Sequence, residues 1–150
     1  MQPASFFSVL QEEEISIHSK ILQGYGTTVL VLEYNHETRL VSKMFLEVLG
    51  YRVLTAGTPG EAICLAYEHE GEIELLITDV IMAEMNGPNL AEWMLIFYPG
   101  MKMLFMSSDS ANVNASLGLF AEEANLIRKP FSINDLAGKV RKALERVNDY

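Results

Sequence analysis

The sequence predicts an α/β domain built on a five-stranded parallel sheet, doubly wound with helices on both faces. Three observations carry this prediction. From Thr27 onward, short runs rich in Val, Ile and Leu alternate with longer stretches at helical spacing, the pattern of repeated βα units. Those short runs are apolar almost without interruption, as strands covered on both faces require. The length of 150 residues, 49% of them hydrophobic, suits one domain with one substantial core.

The elements follow in order. Thr28-Val29-Leu30-Val31-Leu32 reads as the first strand, and the helix after it carries Val41, Phe45, Val48 and Leu49 on one face before Gly50 caps its end. Arg52 to Ala56 is the second strand. Thr58-Pro59 opens the second helix with a capping hydroxyl and a proline at the first helical position, and Ala62, Ile63, Ala66 and Tyr67 form its expected apolar face. Cys64 lies in the same apolar run and is expected to be a small buried hydrophobe; a redox role is the weaker reading for a lone cysteine. The third strand runs from Ile73 to Thr78 and ends at Asp79. Pro88 opens a helix with Leu90, Trp93, Met94 and Phe97 turned inward, and Met101 to Met106 is the fourth strand. A helix within residues 111–123 is weakly specified, because Asn112, Asn114, Ser116 and Gly118 are poor helix formers. Asn125 to Arg128 is a short fifth strand. Ser132 with Asp135 resembles a capping box for the last helix, whose buried stripe is Ile133, Leu136, Val140, Leu144 and Val147.

Residues 1–26 stand outside this repeat. Phe6, Phe7, Val9 and Leu10 form an apolar patch followed by three glutamates, which reads either as a linker or as a helix that docks on the domain or mediates self-association. Residues 27–147 are the domain proper. The formal charge of −9 and pI near 4.7 argue against direct contact with nucleic acid or anionic lipid. No apolar stretch approaches the ~20 residues of a membrane span, so no membrane association and a cytoplasmic location are expected.

In an open parallel sheet, ligands bind beyond the carboxyl ends of the strands. Those ends carry Glu33 and Tyr34, Asp79, Ser107 and Ser108, and Lys129. Each residue alone has an ordinary explanation, since Asp, Ser and Lys are common at strand ends and in loops. Together they supply a carboxylate nucleophile, a hydroxyl donor and a point charge, a set suited to a phosphoryl group. His36, near this edge, is read as a solvated surface residue, and His18 and His69 have no companions at metal-ligand spacing.

The segment Leu75 to Met82, followed by Met85-Asn86-Gly87, resembles the phosphorylation segment of response regulator receiver domains, and Arg128-Lys129-Pro130-Phe131 resembles their Lys-Pro-Phe motif. Leu49 to Val53 and Lys102 to Ser107 also fit, the latter being similar to receivers of hybrid sensor histidine kinases. The resemblance covers residues 27–146. It implies the flavodoxin-like (βα)5 receiver fold, Asp79 as phosphoacceptor, Ser107 as switch hydroxyl and Lys129 as phosphate partner. Ser108 and Met82 would border the phosphate pocket. It further implies Mg²⁺ held by Glu33, Asp79 and the backbone carbonyl of Ile81, and a cis Lys129-Pro130 peptide. The implied partner is a histidine kinase or its phosphotransfer domain, with a homodimer also admitted.

Three positions depart from the family pattern. Receivers have two acidic residues after the first strand, whereas this chain has Glu33-Tyr34, so Mg²⁺ binding is expected to be weakened and the Tyr34 ring to occupy part of the pocket. Glu37, one turn on, is a weak candidate substitute. Ala83 replaces the usual proline, and Leu126 replaces the usual aromatic ring of the switch relay. The leading expectation is a phosphoacceptor signalling domain, not a turnover enzyme. The alternative is a degenerate receiver acting as an interaction module, and a small hydrolase or nucleotide-binding enzyme finds no Gly-rich phosphate loop or nucleophile elbow.

Overall fold

The computed structural model describes residues 23–82, 84–108 and 126–146. Expectations for residues 1–22, Ala83, the helix within 111–123, Asn125 and Val147 lie outside these residues.

The described chain forms β1 (Thr28–Leu32), α1 (His36–Val48), β2 (Arg52–Ala56), α2 (Pro59–Glu68), β3 (Ile73–Asp79), α3 (Gly87–Phe97), β4 (Lys102–Ser107), β5 (Leu126–Arg128) and α4 (Ile133–Glu145). The strands make one parallel sheet in the order β2-β1-β3-β4-β5. One core lies on each face. Side chains alternate along a strand, so Leu30, Leu32, Leu76, Met103 and Phe105 pack under α2 and α3. Val29, Val31, Leu75, Ile77 and Leu104 pack under α1 and α4. The doubly wound expectation holds among the described elements.

Local chemistry sets the helix ends as read from sequence. Thr58 Oγ1 accepts the Glu61 N–H at 3.2 Å with Pro59 in the first turn, and Ser132 and Asp135 exchange both bonds of a capping box. Gly50, just past the end of α1, has φ +93°, a conformation that costs glycine nothing. Gly24 answers a different need. Its N–H donates to Leu49 O at 2.9 Å, and a Cβ there would lie 2.4 Å from Tyr51 N.

The helix faces differ from expectation. Leu49 is buried and Phe45 packs on the core as expected, but Val41 and Val48 are exposed, and α1 buries Ser42 and Leu46 in their place. Tyr67 and Phe97 were expected inside but are 80% and 57% exposed, and Cys64 is exposed as well. Small residues explain the difference. Helices α2 and α3 lie close on the sheet through Ala62, Ala66 and Ala91, and Cys64, two residues from Ala62, is turned about 200° around the helix from it.

Candidate functional site

Strand register assembles the site. Leu32 pairs with Thr78, so the next residues, Glu33 and Asp79, emerge side by side at the carboxyl edge. Asp79 pairs with Met106 and Ser107 with Arg128, which brings Ser107 and Lys129 to the same edge. The Lys129 N–H donates to Ser107 O at 2.8 Å, and the Lys129-Pro130 peptide is cis.

Lys129 Nζ donates to Glu33 Oε1 at 2.8 Å and lies 2.7 Å from Asp79 Oδ1. The two contacts are unequal. The approach to Glu33 is a directed hydrogen bond, whereas Asp79 Oδ1 meets the ammonium outside hydrogen-bond geometry and is left buried without a directed donor. Burial pushes the Asp79 carboxyl up to about 7; the neighbouring Glu33 carboxyl adds to the rise and Lys129 opposes it. Glu33 is only 1% exposed. Burial raises its carboxyl too, but hydrogen bonding to Asp79 and Lys129, together with the lysine charge, outweighs burial and holds Glu33 below the usual carboxylate range. Burial lowers Lys129, and its two carboxyl partners more than reverse this, so it stays charged at neutral pH.

Three clefts surround this trio. A small cavity of about 120 Å³ is bordered by Asp79, Ile81, Ser107, Ser108 and Lys129. A cleft of about 320 Å³ joins Glu33 and Asp79 to Thr58, Ile81, Met82 and Glu84. On the other side of Lys129, Glu33, Glu37, Val41 and Phe131 line a third of about 520 Å³. Every residue proposed from sequence therefore reaches this edge.

One expectation needs correction. The Tyr34 ring does not fill the pocket: it stands at the rim of the middle cleft, 83% exposed, because Glu33 takes the inward position after β1 and the next residue points out. Glu37, the weak candidate substitute, lines the cleft beside Glu33 and Lys129 and not the one that contains Asp79. Leu126 is half-buried against the core under α2 and α3.

Sequence reasoning missed two residues. Arg39 Nη1 donates to the carbonyls of Glu33 and Tyr34 at 2.8 and 3.3 Å, pinning the β1–α1 loop under the site. Its partners are backbone atoms, which leave no mark in the sequence. Glu84 shares the middle cleft with Asp79. Its place just after β3 is the available signal.

Two buried carboxyl groups side by side, an Asp79 oxygen lacking a directed donor, and Ile81 on the same cavity suit a hard cation. Among the described residues no group of three acidic, histidine or cysteine side chains is clustered for a metal. The residues fit such an ion with one carboxylate fewer than a full acidic set.

A parallel five-stranded sheet in 2-1-3-4-5 order, with an acidic residue, a hydroxyl and a lysine at its carboxyl edge, defines a receiver-type signalling module. Comparison with known proteins agrees. The response regulator receiver domain family matches residues 29–141, and the chain belongs to that family. It is 31% identical over 121 residues to the sensor kinase CckA of Brucella abortus (strain 2308), covering 81% of this chain and 13% of that protein. It is 30% identical over 118 residues to the response regulator receiver protein CpdR of the same organism, covering 77% of this chain and 95% of that protein. The crystal structure of the receiver domain of the hybrid histidine kinase CckA superposes with TM-score 0.65 at 30% identity, covering 79% of this chain and 99% of that one. A receiver domain protein from Clostridium thermocellum gives TM-score 0.70 at 24% identity over 79% of this chain and 94% of that one, a likeness of fold alone. This is a receiver domain of the two-component type, a signalling module of a family that works with histidine kinases or phosphotransfer proteins and generally uses Mg²⁺.

Proposed function

We propose that Asp79 accepts a phosphoryl group from a phosphohistidine of a histidine kinase or phosphotransfer domain. The observation that carries this reading is the Asp79 carboxyl at the end of β3, with an oxygen lacking a directed donor, on a cavity shared with Ser107, Ser108 and Lys129. The ionised carboxylate attacks phosphorus in line as the P–N bond to imidazole breaks; the bonding pair leaves with the imidazole nitrogen, which takes up a proton, and an acyl phosphate remains on Asp79. Lys129 turns its charge from the carboxylate to the incoming phosphoryl oxygens, and Ser107 supplies a hydroxyl donor to one of them. Met82 borders the neighbouring cleft that Asp79 shares with Glu33. Glu33, Asp79 and the Ile81 carbonyl would hold Mg²⁺, whose charge offsets repulsion between carboxylate and phosphate; with Tyr34 at the rim, that binding is weak.

The phosphodonor's surface fits beside the site, where α1 exposes Leu40, Val41, Met44 and Val48 next to the cleft containing Lys129. We further propose a cytoplasmic setting, attachment to a hybrid kinase, homodimer formation, and output through protein contacts without direct nucleic-acid binding. Among the described residues no helix is long and apolar enough to cross a membrane.

Incubation with radiolabelled acetyl phosphate, or with a phosphorylated kinase, tests the acceptor. Base-labile label should appear on the natural protein and be absent from Asp79→Asn. Equal labelling of both would remove Asp79 from the role, and no labelling of either would favour the interaction-module alternative.

A further inference from the structure

We propose that the groove between α2 and α3 is a docking site for an amphipathic segment of a partner protein that carries lysine or arginine beside its apolar face. The groove, about 520 Å³, lies between these two helices and shares no lining residue with the Asp79 cavity. Its walls are Ile63, Cys64 and Tyr67 from α2 and Trp93 and Phe97 from α3, the two rings packed with centroids 4.6 Å apart. Tyr67 and Phe97 stand largely in solvent, and Ile96 beside them is 72% exposed. Two neighbouring helices that leave large apolar side chains uncovered around one concavity have the form of a binding surface.

The groove is held in shape. Tyr98, at the end of α3, shares its hydroxyl proton between the carbonyls of Ala66 and His69, each at 2.7 Å, and its oxygen accepts the Gly71 N–H at 3.1 Å. This ties the end of α3 to the end of α2. A preformed site costs less conformational entropy when a ligand binds.

Charge selects the occupant. Glu68 and Glu70 stand on the groove's border, and among the described residues no lysine, arginine or histidine lines it. A second copy of this chain docked here about a two-fold axis would set the same two glutamates against their counterparts, on a molecule already at −9, so like charges oppose that self-association. A cationic amphipathic segment satisfies the apolar walls and the acidic border together.

The full chain carries its own reporters in the groove, its single tryptophan, Trp93, and its single cysteine, Cys64. The probe is a short synthetic helix of leucine and lysine, with a control helix in which glutamate replaces lysine. The lysine helix should shift Trp93 emission and slow N-ethylmaleimide modification of Cys64, and the glutamate helix should do neither. Affinity should fall about tenfold in Glu68→Lys/Glu70→Lys and in Tyr67→Ser, and stay unchanged in Glu47→Lys on the opposite layer. Equal effects of both helices, no protection of Cys64, or equal loss in Glu47→Lys would overturn the proposal. So would Cys64 protection that rises with protein concentration alone, which would identify a second copy as the occupant, or protection that is lost when residues 1–22 are removed.

Discussion

Lys129 Nζ sits 2.7 Å from Asp79 Oδ1, yet its directed hydrogen bond goes to Glu33 Oε1 at 2.8 Å. One ammonium therefore serves two buried carboxyl groups unequally. Glu33 is held ionised, and Asp79 is left with its proton affinity raised to about 7. Of the two acids, Asp79 is the one whose carboxyl is raised.

This asymmetry sets a pH dependence. A carboxyl whose folded value lies above its unfolded value binds its proton more tightly when folded. Asp79 is then neutral in effect near pH 4 and costs stability increasingly as the pH rises to about 7. In metal-free buffer, Asp79→Asn should match the natural protein near pH 4 and exceed it at pH 8 by on the order of 1–3 kcal/mol. Urea melts at the two pH values check this; a difference independent of pH would contradict it.

Removing the shared cation should have the opposite sign. Lys129→Met leaves Glu33 and Asp79 facing one another uncompensated, and about 2–4 kcal/mol should be lost at pH 8. The loss should shrink toward pH 5, where a proton on Asp79 replaces part of the lysine's charge. Chemical denaturation across that range measures it.

Tyr34 leads to a metal prediction. Because its ring stands outside the pocket, an aspartate at this position can supply the missing carboxylate without displacing a packed side chain. Tyr34→Asp should tighten Mg²⁺ binding by about tenfold or more, read by calorimetry or by amide shifts around Asp79. Equal affinity in the two proteins would indicate that Glu84, on the same cleft, already fills the role.

Gly87 packs against the Asp79 backbone. A Cβ there would lie 2.2 Å from Asp79 O, and the Gly87 N–H already donates to Val80 O at 2.8 Å. Gly87→Ala should cost about 2 kcal/mol or more and displace the Asp79 amide resonance. Gly138→Ala is the control. It lies within α4 with open space for a methyl group, and should gain about 0.5–1 kcal/mol.

The strands, their order along the chain and the caps at Thr58 and Ser132 were legible because each rests on local chemistry: apolar runs, a proline, a hydroxyl three residues before an N–H. The carboxyl-edge residues were legible for a topological reason, since parallel strands all end on one side. Helix phase was not. In helices apolar nearly all round, large residues such as Tyr67 and Phe97 suggest a buried face, whereas close packing on a sheet selects the small ones, Ala62, Ala66 and Ala91.

The sequence by itself determined the fold and the set of groups at its edge, because periodicity and residue type are written along the chain. Only the tertiary structure decided which oxygen Lys129 binds, that Tyr34 turns to solvent, that Arg39 holds the loop by its carbonyls, and that α2 and α3 leave a groove between them. Those outcomes depend on direction and on neighbours far apart in sequence, 96 residues in the case of Glu33 and Lys129. Linear spacing does not encode distances or angles between such groups; the register of the sheet does.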